Sequence, residues 1–150
     1  MMTVTTGAYA PVVSAGGPRV HRVSDSEANR RSIDAYVARV DARDWDGVDR
    51  LTHPDVVYDL PQTRETITGQ EGLRAFNTAY PGDWHLVLAE RYADDEAGVA
   101  RLDWRVADGA DGTAIVFFCF DDAGLITRIT DWWPESYEPP PGREHLVQRY

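Results

Sequence analysis

One acid, Asp131, stands in the run GLITRITDWWP (Gly124–Pro134) among apolar and aromatic residues that a strand would bury. An unpartnered carboxylate in low dielectric is costly, so such an acid leaves the apolar face, finds a partner, or is kept for acid–base chemistry. A second run, VARLDWRV, places Val99, Arg101, Asp103 and Arg105 on one pleat face and Ala100, Leu102, Trp104 and Val106 on the other. If the last strand turns Asp131 and Ile129 to the side of Arg101 and Asp103, an Asp–Arg–Asp set results, because same-face residues of neighbouring strands come within a few ångströms. A guanidinium between two carboxylates keeps one ionised as a base, while desolvation and like-charge repulsion let the other hold a proton as an acid. The alternative for this strand is a solvated face of alternating charges, and the three residues would then form only a structural ion-pair network.

Around that set, Trp133 shares the Asp131 side of its strand and would wall off an apolar ligand, with Trp132 joining Trp104 on the outer face. The same tryptophans read equally well as core or interface packing. No metal is implied: His21, His53, His85 and His145 share no ligand spacing, and the lone Cys119 cannot build a zinc site. Cys119 lies in the apolar run AIVFFCF and is expected to be a small buried hydrophobe with an inert thiol. His53-Pro54-Asp55 reads as a turn. No glycine-rich phosphate loop follows a strand and GxSxG is absent, so neither a nucleotide cofactor nor a serine nucleophile is supported, and the expected chemistry uses no cofactor.

The elements that must position these residues follow from patterning. The chain has 150 residues, 43% of them hydrophobic, which suits one domain with a real core. A net charge of −10 and a pI near 4.7 argue against nucleic acid and anionic membranes as partners. No apolar run approaches the ~20 residues of a membrane span and the first residues do not read as a signal peptide, so the expected location is cytoplasmic. Residues 1–23 mix Gly, Pro, Ser and Thr without period and are expected to form a mobile arm before a domain over 24–137, with a proline-punctuated tail over 138–150. The spacing of Ile33, Tyr36, Val37 and Val40 predicts a first helix, Val48 and Leu51 a short second one, and GQEGLRAFNTAY a third. DVVYDLP predicts a short strand ended by proline. Four further strand-like runs separated by DDEAG, GADG and DDAG predict an antiparallel meander. Helices followed by such a meander make an α+β fold in which a curved sheet wraps helices around a cavity. The face carrying Leu102 and Trp104 is expected to pack on a second subunit, giving a homodimer, and Tyr137, Leu146, Val147 and Tyr150 give the tail enough apolar surface to dock over the cavity mouth or on the partner.

The stretches YVARVDARDWDGVDRLTHPDVVYDLP, ITGQEGLRAFN and ITDWWPE, within roughly Asn29 to Tyr137, resemble the nuclear transport factor 2 superfamily and its SnoaL-like polyketide cyclases, limonene-type epoxide hydrolases and ketosteroid isomerases. The resemblance implies a cone-shaped α+β fold and a small apolar or polyketide-like ligand. By likeness to the epoxide hydrolases, Asp131 would activate a water, Asp103 would protonate the epoxide oxygen and Arg101 would tie the carboxylates together. The water-holding Tyr and Asn of that family fall near Val57 and Asp59, so the tyrosine is missing and Asp59 replaces the Asn at the substrate. By likeness to the cyclases, the same acid would deprotonate a substrate carbon or hydroxyl and start ring closure. Against the isomerases, Tyr36 matches the oxyanion-donating tyrosine and would bind a substrate oxygen if it points into the cavity; the residues slightly favour the alternative, a core tyrosine on the buried helix face. The general-base Asp falls at Leu60 and the second acid in FFCF. The implied function is therefore cofactor-independent acid–base catalysis in an apolar pocket, as epoxide hydrolysis, cyclisation or isomerisation. The alternative is a non-catalytic ligand-binding or protein-interaction domain. A cavity of roughly 300 Å³ or more would favour the enzyme.

Overall fold

The computed structural model describes residues 24–150, so the expected N-terminal arm lies outside the described residues. Three helices, α1 (Ser24–Asp41), α2 (Trp45–Asp49) and α3 (Gly69–Ala79), accompany six strands: β1 (Thr52–Leu60), β2 (Glu65–Thr68), β3 (Trp84–Ala93), β4 (Ala97–Val106), β5 (Asp111–Phe120) and β6 (Ile126–Trp132). The strands form one curved, unclosed sheet in the order β2-β1-β6-β5-β4-β3. β3 to β6 make the antiparallel meander that the Asp/Gly turns predict. The sheet as a whole is mixed, however, because β1 pairs with β6 in parallel.

The α1 spacing does what its period requires. Ile33, Tyr36, Val37 and Val40 are all buried, and the helix lies across β3 and β4. Gly98 permits the close approach, since a Cβ there would stand 2.6 Å from the Ile33 Cδ1. The C-terminal end of α1 is tied to β3: Leu86 N donates to Asp41 Oδ1 (2.9 Å), and the Arg43 guanidinium lies 3.5 Å over the Trp84 ring. The second helix is capped by the Asp44 carboxylate, which accepts from Gly47 N at 3.0 Å. Leu73 anchors α3, which packs over β1 and β2.

Several expectations need correction. His53-Pro54-Asp55 is not a turn but the start of β1, and Pro54 is tolerated there because the β1–β6 register shifts between Thr52 and Val57. The four-residue β2 carries too little pattern to stand out in sequence. Cys119 is exposed, not buried: it alternates with Phe118 and Phe120, which take the inner face of β5. Tyr137, Leu146, Val147 and Tyr150 are exposed in the single chain rather than packed over the cavity mouth, and Arg149 pairs with Glu138 within the tail.

Candidate active site

Between the concave sheet face and the helices lies a cavity of about 410 Å³. Its wall is apolar and aromatic, with Leu60, Phe76, Leu102, Trp104, Val116, Ile129 and Trp133 among the lining residues. Strand alternation puts them there: Leu86, Leu102, Trp104, Val116 and Ile129 all point inward on paired strands. Trp104 can lie flat across β5 because its neighbour is Gly112, where a Cβ would come within 2.6 Å of the indole Cζ2. The Trp104 and Trp133 rings sit 5.5 Å apart, and Tyr80 stacks on Trp133 at 6.4 Å.

Asp131 is the one buried acid among the described residues, with 6% of its surface exposed, and it lines this cavity. Its Oδ2 accepts a 2.5 Å hydrogen bond from the Tyr58 hydroxyl, while Oδ1 is buried without a partner among the described residues. The pair forms because β1 and β6 run in parallel with Tyr58 opposite Ile129, so the inward residue two places on from Ile129 is Asp131. Burial pushes the Asp131 carboxyl above the usual carboxylate range; the Tyr58 bond opposes this, as does the Trp133 side chain, although the latter does not reach hydrogen-bond geometry. Burial, reinforced by the Asp131 charge, also raises the Tyr58 and Tyr36 hydroxyls, which stay protonated as donors at neutral pH. Tyr36 lines the cavity from α1 and packs edge-on against Phe118 at 5.6 Å. Trp133 is held from behind by Gln62, which accepts from the Trp133 N–H and donates to its carbonyl.

Of the residues expected at the site, Asp131, Tyr36 and Trp133 meet at the cavity; Arg101, Asp103 and Asp59 do not. Arg101 is exposed on the outer sheet face, where Nη1 reaches Asp103 (2.9 Å) and Nη2 reaches Glu90 (3.2 Å). The alternation within VARLDWRV is as expected, but its sides are exchanged: Leu102 and Trp104 face the cavity and the charged residues face out. The reason is desolvation, since inward-facing Arg101 and Asp103 would bury charge where α1 and the sheet need apolar surface. Leu102 and Trp104 are therefore not an intersubunit surface. Asp59 also faces outward, pairing with Arg128 and accepting from Thr66 Oγ1 at 2.9 Å. Tyr58 is the residue that sequence reasoning missed. Its inward parity with Val56 and Leu60 is readable from sequence, but its meeting with Asp131 depends on a parallel pairing that brings together residues 73 positions apart. Among the described residues no group of His, Cys, Asp and Glu could hold a metal ion, and no helix is long and apolar enough to cross a membrane.

A model of the SnoaL-like domain matches residues 33–129. No curated protein matches the chain at a significant level. Among solved structures, a Kribbella flavida protein proposed as a ketosteroid isomerase is 41% identical, with a TM-score of 0.79, over 84% of this chain and 92% of that one. An LEH-like epoxide hydrolase of M. tuberculosis is 18% identical (TM-score 0.63, covering 73% of this chain and 84% of that one). TerC, crystallised with polyporic acid, is 24% identical (TM-score 0.61, covering 71% and 92%). These last two likenesses speak for the fold alone. The SnoaL-like match spans more than half of the sequence and the Kribbella likeness most of it, and with the curved, unclosed sheet they show that the chain belongs to the SnoaL-like family of the nuclear transport factor 2 fold.

Proposed function

We propose that the protein is a cofactor-independent enzyme that shifts a proton on an apolar carbonyl substrate, leading to isomerisation or ring closure. The observation that carries this reading is Asp131, a nearly buried carboxyl with one unpartnered oxygen, lining an apolar cavity beside two tyrosine hydroxyls. A raised carboxyl is a stronger base once ionised, and so a better match to a carbon acid next to a carbonyl. In this scheme Asp131 takes the α-proton, and the Tyr36 hydroxyl donates to the carbonyl oxygen as it gains negative charge. Tyr58 holds the carboxylate in place through Oδ2. The proton then returns to a different carbon, which isomerises the substrate, or the carbanion attacks a second carbonyl of the same molecule and the proton goes to the new alkoxide. The sequence contains no lysine, so a side-chain Schiff base is not an alternative route.

Epoxide opening is less well supported. It needs an acid for the departing oxygen, and the residues that the family resemblance assigns to that role, Asp103 with Arg101, lie on the opposite face of the sheet. For assembly the reading is a homodimer through the outer sheet face, and the exposed free Cys119 suits a reducing compartment such as the cytoplasm.

Turnover on a panel of β,γ-unsaturated ketones and linear polyketides tests the reading. Asp131→Asn should lower the rate by about 10² to 10⁴ with the fold intact, and Tyr36→Phe by about 10 to 10². Binding of the panel with no turnover, and no change of affinity in Asp131→Asn, would instead mark a ligand-binding domain.

A further inference from the structure

The cavity wall is one-sided in charge. Among the described residues its lining contains three acids, Asp131, Glu65 and Glu135, and no Arg, Lys or His. Glu65 and Glu135 are exposed and therefore belong to the open end, and neither forms an ion pair among the described residues; the Thr63 hydroxyl donates to Glu65 at 2.5 Å. The buried Asp131 also lines the cavity and keeps Oδ1 unpartnered. Aromatic faces complete the wall. Tyr80, Trp104 and Trp133 all line this space, with the planes of Tyr80 and Trp133 within 20° of each other and Trp104 adjoining Trp133. Aromatic faces and carboxylates share one preference, since both attract a cation, and a low-dielectric surround strengthens that attraction.

We propose that the cavity takes an apolar, ring-bearing ligand that carries a protonated amine, with the ammonium held among the Tyr80 and Trp133 rings and the Glu65 and Glu135 carboxylates. The same wall turns away carboxylates and phosphates, for which the described residues offer no cationic partner. This deepens the proposed function by naming the class of substrate, and it rests on that reading only in taking the cavity as the ligand site.

The experiment is calorimetric titration near neutral pH with three matched probes, a naphthyl ring carrying an aminomethyl, a hydroxymethyl or a carboxylate group. The amine should bind about tenfold more tightly than the alcohol, and the alcohol about tenfold more tightly than the carboxylate. In the double variant Glu65→Gln/Glu135→Gln the amine's advantage should shrink by about threefold or more, with the affinity for the alcohol unchanged. Carboxylate binding as tight as that of the alcohol overturns the proposal. So does an amine no better than the alcohol, and so does a failure of all three probes to bind. Turnover is not read in this experiment, so failure of the catalytic reading, which Asp131→Asn decides, leaves the ranking intact.

Discussion

At Asp131, stability and chemistry pull in opposite directions. Its carboxyl is raised by burial in the folded chain, so the folded state holds the proton to a higher pH than the unfolded state does. At a pH below the unfolded carboxylate's value both states are protonated and the site costs nothing. As pH rises through that value the unfolded chain ionises first and stability falls, until the folded carboxyl also ionises and the loss becomes constant. Asp131→Asn keeps an acceptor for Tyr58 and has nothing to ionise. It should therefore melt above wild type by roughly 2–4 °C near pH 8, with the gap closing towards pH 4. The sequence reading, with Arg101 as partner, leads to the opposite sign, because the substitution would then strand a buried cation. A variant that melts below wild type by the same margin at every pH would show that the acid stabilises the fold. Asp131 itself was legible because an acid between Thr130 and two tryptophans breaks an apolar strand. Tyr58 was not, because a tyrosine between Val57 and Asp59 breaks nothing.

Strand β4 shows how far an element can be read from its own residues. Period-2 alternation sorted Leu102 and Trp104 from Arg101 and Asp103 correctly, but which side faces the interior is decided by the helices, which are distant in sequence. The hairpin meander was legible for a related reason: each of its turns is local, and Asp/Gly pairs declare it. The parallel β1–β6 contact has no local mark. With Arg101 on the outer face, exposed and shared between Asp103 and Glu90, its ion pairs are screened and contribute little. Arg101→Ala and Asp103→Asn should thus leave turnover within about threefold of wild type and stability within about 0.5 kcal/mol. Steady-state kinetics and denaturant melts check this, and a hundredfold rate loss in either variant would mean that the charged face reaches the chemistry after all.

For the molecule as a whole, turning Arg101 and Asp103 outward leaves a sheet face that is only partly polar. Phe117 (47% exposed), Trp132 (40%) and Val87 (55%) share it with the Arg101, Asp103 and Glu90 charges. Large aromatics at the centre of a polar surround are the composition of an interface, and a two-fold axis would let the acidic and basic side chains of one copy meet those of the other. A stable contact of this kind covers about 800 Å² per partner. The interior cannot serve this purpose, since Leu102 is 5% exposed inside a single chain, and a charge placed there should unfold the protein rather than separate subunits. The two positions therefore report different things. In the proposed homodimer, Phe117→Asp should turn the pair of 16.8 kDa chains into folded monomers with the cavity chemistry retained, whereas Leu102→Asp should lose the fold in either state. Sedimentation equilibrium with circular dichroism distinguishes them, and a wild-type chain that sediments as a monomer at tens of micromolar, before any substitution, rules the dimer out.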